Sequence, residues 1–156
     1  MLDDADIITD TEEVLLQYKL AEVSQKYNTQ ILVGTIDTLE NVDLEFFIGY
    51  IYDVKEFGYG EYRDGVLLML CMDIREFRIL SNGNAAIAIT TEDIADIAEE
   101  ITPYLSEGSY AEAFTVYADE CAQYLELYQN GPVFNTKKAL IIAVIVGLVI
   151  GIAVAV

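Results

Sequence analysis

An α/β domain, built on a small mixed β-sheet of about four strands with helices on both faces and followed by a C-terminal transmembrane helix, is what this sequence predicts. Three observations carry that expectation. Residues 66–72 are seven apolar residues in a row, bracketed by Asp64-Gly65 and by Asp73. That length and those flanks suit a strand covered on both faces better than a helix. The segments around it carry apolar residues at helical spacing, so covering helices are at hand. Residues 139–156 form a run of 18 with no charged or polar side chain.

The elements follow in chain order. Thr9-Asp-Thr-Glu12 has the form of a capping box, in which Thr9 accepts from the Glu12 amide while Glu12 reaches back. The helix it opens runs to about Tyr27, with Leu16, Leu20, Val23 and Tyr27 on one face. Glu12 and Glu13 suit its positive N-terminal end. Residues 30–36 read as a strand ending at Asp37. Leu44, Phe47, Ile48, Ile51 and Tyr52 then fall at i, i+3, i+4, i+7 and i+8, one face of a second helix. Strand, helix, strand implies a right-handed crossover, so residues 31–36 and 66–72 should lie parallel. The connection Phe57-Gly-Tyr-Gly-Glu-Tyr-Arg-Asp-Gly65 reads as flexible and is too poor in basic residues to cradle a phosphate.

Beyond Asp73, Phe77 and Ile79 alternate with Arg78 and Leu80, so the chain should turn back as a half-buried strand. Ser81-Asn-Gly-Asn84 is a turn, and residues 85–89 are expected to add a short strand. Thr91 is expected to cap a helix containing Ile94, Ile97, Ala98 and Ile101, which Pro103 should end or kink. Ser109 and Glu112 have the spacing of a second capping box. The last helix carries Tyr110, Phe114, Tyr117, Cys121, Tyr124 and Tyr128 as an apolar and aromatic face, and Gly131-Pro132 stops it. The expected division is a domain over residues 3–130, a linker over 131–138 and a membrane helix over 139–156, cut short at Val156.

Charge and composition narrow the function. Eight Lys and Arg against 27 Asp and Glu give −19; setting aside Lys137 and Lys138 beside the apolar run leaves −21 on the rest. A surface this acidic repels nucleic-acid phosphate and anionic headgroups, and it favours cations. The absence of histidine excludes His-based catalysis and His-ligated metal. Cys71 falls in the apolar strand and Cys121 on an apolar helix face. They read as two buried thiols, or as a disulfide where the domain faces an oxidising space.

At about 1.5 Å per residue, 18 helical residues span roughly 27 Å, close to a bilayer core. Gly147-x-x-x-Gly151 would let two such spans pack closely as a homodimer, though a run this rich in Gly and Ala offers the spacing by chance as well. Lys137-Lys138 alone would favour a cytoplasmic domain. No basic n-region with an apolar stretch follows Met1, so no signal peptide is visible.

Asp37 and Asp73 each follow an apolar strand. If those strands are parallel neighbours, both carboxylates reach the carboxyl edge of the sheet, where open α/β sheets bind ligands. Two carboxylates about 5 Å apart repel by about 3 kcal/mol, which a hard cation such as calcium relieves. The candidate metal set is Asp37 and Asp73 with Glu92 and Asp93. Arg75 could clamp a phosphate oxygen bidentately, or pair with Glu76 or Asp73. The alternative is solvated carboxylates that cap strands and turns. Asp64 belongs to the opposite edge.

The segments Thr9-Asp-Thr-Glu-Glu13, Val23-Ser-Gln-Lys-Tyr27, Ile31-Leu-Val-Gly-Thr-Ile-Asp37, Asp64-Gly-Val-Leu-Leu-Met-Leu70 and Asp73-x-Arg75-x-x-Arg78-Ile79 resemble the TPM domain, a family with thylakoid, photosystem-repair and nematode receptor-modulator members. The resemblance covers roughly residues 3–130. It implies an α/β sandwich and, in bacterial members, an extracytoplasmic domain ahead of a transmembrane helix. It also implies two rival functions. One is an accessory or interaction module of a membrane protein complex. The other is a calcium-assisted acid phosphatase acting on phosphomonoesters, with Asp73 and Arg75 as the catalytic candidates. The family's glycine-rich turn and Thr-Asp pair are replaced here by Asn82-Gly83 and Thr91-Glu92. Of the two functions, the module needs no nucleophile, and the sequence offers no clear one.

Overall fold

The computed structural model of the protein describes residues 1–131. Along the chain lie β1 (Leu2–Asp3), α1 (Asp10–Tyr27), β2 (Gln30–Ile36), α2 (Leu44–Val54), β3 (Gly65–Cys71), β4 (Glu76–Asn82), α3 (Ala85–Ala88), α4 (Thr91–Glu107) and α5 (Tyr110–Asn130). The four strands form one sheet in the order β1-β2-β3-β4. β1, β2 and β3 are parallel, with Ile31 opposite Val66 and Ile36 opposite Cys71, and β4 returns antiparallel beside β3. The expected mixed four-stranded α/β sheet is therefore present. The membrane span over 139–156, with Gly147 and Gly151, and residues 132–138 of the linker lie outside the described residues. Among the described residues no helix is long and apolar enough to cross a membrane.

All seven residues of β3 are buried. Their alternation splits the core in two. Val66, Leu68 and Leu70 face α1 and α5, together with Leu16, Leu20, Val23, Phe114 and Tyr117, while Ile97 and Ile101 of α4 close the same layer. Leu67, Met69 and Cys71 face α2, against Leu44, Ile48 and Tyr52. Period-2 alternation on a strand and apolar spacing on helices thus place helices on both faces. Cys71 and Cys121 are free thiols in different halves of this core, so the sheet itself separates them and no disulfide forms. The crossovers through α1 and α2 step the same way across the sheet yet cover opposite faces, so they have opposite hands. The right-handed rule rests on strand twist, which a two-residue β1 scarcely carries.

Local caps explain most boundaries. Thr9 and Glu12 form the expected capping box. Buried Ser24 donates to the Leu20 carbonyl at 2.6 Å and accepts the Ile31 amide at 2.8 Å, stitching α1 to β2.

Five local expectations are corrected. Residues 85–88 form the helical turn α3, because the Asp64 carboxylate accepts the Asn84 amide at 2.6 Å and starts the turn, and alanines favour helix. The fourth strand is instead β1, too short for periodicity to reveal. It is held by the buried Thr35 hydroxyl, which donates to Asp3 and accepts the Ala5 amide. Thr90, not Thr91, caps α4, in a capping box with Asp93. Pro103 lies inside α4, which runs on to a left-handed cap at Gly108. The fully buried Ile97 and Ile101 hold that helix in place across the missing proline N–H. Ser109 makes no side-chain cap, since its amide is engaged in closing α4 on the Tyr104 carbonyl at 2.9 Å. On α5 the buried stripe is Ala113, Phe114, Tyr117, Ala118, Cys121 and Leu125, while Tyr128 is exposed.

Candidate functional site

Parallel pairing brings the carboxyl ends of β2 and β3 side by side, and the ladder continues one step past both strands. The Met72 amide donates to the Ile36 carbonyl at 2.9 Å, and the Asp73 amide to the Asp37 carbonyl at 2.8 Å. Asp37 and Asp73 are therefore adjacent at this edge, and both are exposed. Thr38, which sequence reasoning did not single out, donates its hydroxyl to Asp73 Oδ2 at 3.2 Å. Its position directly after Asp37 was the signal available.

The rest of the proposed metal set does not join them. Because β4 runs back, Asn82 pairs with Gly65 at the other end of the sheet, and α4 starts there. Ser81, opposite Val66, donates to the Ile89 carbonyl just before Thr90. Glu92 and Asp93 are thus carried to the end opposite Asp73. The Asp93 carboxylate is engaged by the Thr90 amide at 2.8 Å and the Thr90 hydroxyl at 2.7 Å. Among the described residues no three Cys, Asp or Glu side chains gather as a metal-binding group. Calcium takes about six to eight oxygens, and Asp37 and Asp73 alone supply few of them.

Arg75 stands in the tight turn between β3 and β4 with φ 52°, in the left-handed region. It is exposed and forms no ion pair with a described residue. Of the two partners expected for it, Glu76 is taken by Arg78 at 3.2 Å and Asp73 forms no ion pair with it, while Arg78 also reaches Glu45 of α2 at 3.4 Å. Arg75 lines two cavities, neither of which includes Asp37 or Asp73. One follows β4. The other, of about 320 Å³, lies between the hairpin and the α4–α5 corner, with Thr102, Ser106 and Tyr110 on its wall. Arg75 and Asp73 sit two residues apart in the same turn after β3.

The opposite edge is dense with bonds. Arg63, at φ 54°, donates to the Phe57 carbonyl at 2.9 Å, to the Tyr52 carbonyl, and to Asp53 at 2.9 Å. Its own carbonyl accepts the Tyr52 hydroxyl at 2.9 Å and the Asn82 amide group at 2.8 Å. Asp64 receives the backbone amide and the side-chain amide of Asn84. Burial raises the Tyr52 hydroxyl to about 12, against the lowering pull of the Arg63 guanidinium. The glycine-rich connection that composition suggested was flexible is thus pinned along much of its length. The sequence signal for this was a lone Arg63 just ahead of Asp64-Gly65.

Comparison with known proteins places the fold. The N-terminal domain of a protein from P. gingivalis, solved by NMR, superposes with TM-score 0.68 at 18% identity, covering 80% of each chain. A protein from the psychrophilic bacterium Bizionia argentinensis, also solved by NMR, gives TM-score 0.68 at 15% identity, with 78% of this chain and 83% of that one covered. The N-terminal domain of a Corynebacterium glutamicum protein gives 0.64 at 15% identity, over 78% and 76%. No curated protein sequence matches the chain. The sequence profile of the TPM domain matches residues 1–124, and the chain belongs to the TPM domain family.

Proposed function

We propose that this TPM domain is an accessory or interaction module of a membrane protein complex, anchored by residues 139–156 with the domain on the extracytoplasmic side. The observation that carries the reading is where the chain leaves the domain. The last turn of α5 is tied to the end of α1, Gln129 donating to the Tyr27 carbonyl at 2.9 Å, beside Asp64 and Asn84. An anchor beginning eight residues after Gly131 would put that edge toward the bilayer and turn Asp37, Asp73 and Arg75 outward, to where a partner can reach them. The acidity of the domain supports a body held off the membrane on its linker, since it resists lying on anionic headgroups.

The test uses the protein in its producing cell. It should stay with membranes through an alkaline carbonate wash and be digested by protease added outside the cytoplasmic membrane. A photoreactive residue at position 73 should cross-link to a membrane protein. Release by carbonate, or protection from the protease, overturns the reading. Gly147→Leu tests the homodimer: cross-linked dimer should fall.

The adjacency of Asp37 and Asp73 favours one second reading, calcium-assisted hydrolysis of phosphomonoesters. The donor set does not fit a calcium site, because Asp37 and Asp73 supply few oxygens and Glu92 and Asp93 lie at the other end of the sheet. Turnover of a generic phosphomonoester with calcium or magnesium that Asp73→Asn removes would displace the module reading.

A further inference from the structure

Among the described residues the sheet ends at β4, and no strand lies beside its outer edge. Among the described residues, no backbone hydrogen bond outside the β3–β4 hairpin involves residues 76–82. Natural sheets usually blunt such an edge with lysine, proline, a bulge or a covering element. Here the blunting is slight. Arg78 folds back on its own strand, donating to the Phe77 carbonyl at 2.8 Å and to Glu76. Beside the edge runs a groove of about 680 Å³, its floor residues 75–81, its walls Glu45 of α2 on one side and Thr91, Ile94 and Ala98 of α4 on the other. Seven floor residues at about 3.3 Å each give a track of roughly 23 Å. That is the scale of a short extended peptide and far below that of a second domain.

We propose that this groove receives an extended peptide segment of a partner protein as a fifth strand, with a carboxylate of that segment held by Arg75. Strand addition supplies main-chain partners for the unpaired edge, and Ile94 and Ala98 on the α4 wall take alternate apolar side chains. Charge selects the end group. Residues 1–131 carry −21, yet Arg75 and Arg78 balance Glu45 and Glu76 in the groove. Arg78 is already paired with both acids, whereas Arg75, fixed by the hairpin turn, has no ion pair among the described residues and matches a carboxylate fork. The proposal rests on the module reading and adds the chemistry of the partner.

The experiment selects a randomised nine-residue peptide library with free C-termini on the full 156-residue chain in detergent. Selected peptides are then titrated into ¹⁵N-labelled chain. Expected are extended sequences that shift the amides of residues 76–81 saturably and bind at least fivefold more weakly once their carboxylates are amidated. Arg75→Gln should erase that fivefold difference, and Ala98→Lys, which fills the groove from a half-buried helix position, should weaken binding at least tenfold at unchanged melting temperature. No enrichment over Ala98→Lys, or shifts confined to other surfaces, overturns the proposal. The module reading fails separately. A cellular cross-link mapping to another face would sink the groove alone, and absence from the membrane would sink the module alone.

Discussion

The two ends of the β2–β3 ladder are built differently. At the end holding Gln30 and Gly65, one arginine, one asparagine and one aspartate are spent on backbone groups, and Tyr52 closes the cluster from α2. At the end holding Asp37 and Asp73, the two residues share a backbone ladder bond, both carboxylates are exposed, and a single threonine hydroxyl reaches Asp73. The first end is where polar side chains replace the water that buried carbonyls would lose, so its residues stabilise the fold. The second end leaves its charges solvated, so its residues are available to something else. Charged residues at a strand end are therefore not equivalent, and their hydrogen-bond partners tell them apart.

Substitution can break or sharpen this contrast. The largest expected effect is Arg63→Ala, which strips donors from the Tyr52 and Phe57 carbonyls and removes the guanidinium from the Tyr52 ring, 5.2 Å away. A loss of about 2–4 kcal/mol in urea unfolding is expected; a loss below about 1 kcal/mol would mean that the cluster is ornamental. Gly58→Ala comes next. Gly58 has φ +99° and its missing side chain faces the Arg63 backbone, so about 2 kcal/mol should be lost, together with a lower melting temperature.

Tyr52→Phe should cost about 1 kcal/mol near pH 8. Because the folded state holds the Tyr52 proton more tightly than the unfolded chain does, its contribution is intact below about pH 10 and is lost as pH rises through about 12. The wild-type stability should therefore decline over that window more steeply than that of Tyr52→Phe. The buried Tyr117 hydroxyl, also raised, leaves a residual slope in both. At the other end, Asp73→Asn should change stability by no more than about 0.5 kcal/mol. A loss above about 1.5 kcal/mol would make Asp73 a fold residue and erase the contrast.

Much of the fold was legible because its signals are local. Thr9 with Glu12, the stripe Leu16-Leu20-Val23-Tyr27 and the apolar run of β3 each state their element within a few residues. The failures are equally physical. β1 has two residues and exists only because Thr35, more than 30 positions away, receives it. Residues 85–88 helped by the Asp64 carboxylate, and Pro103 tolerated under Ile97 and Ile101, are outcomes of partners distant in sequence. At the candidate site the adjacency of Asp37 and Asp73 was readable from two strand ends. The separation of Glu92 and Asp93 from them was not, because it depends on which way β4 carries the chain.

By itself the sequence determined the greasy central strand, the helices that cover it, the excess of acid and the 18-residue apolar run, since each is a property of neighbouring side chains and their spacing. Only the tertiary structure decided which carboxylates meet, which arginine is spent on the backbone, and that β4 is left with an open edge beside a groove. Those are relations between segments, and sequence spacing does not measure the distance between segments that folding brings together.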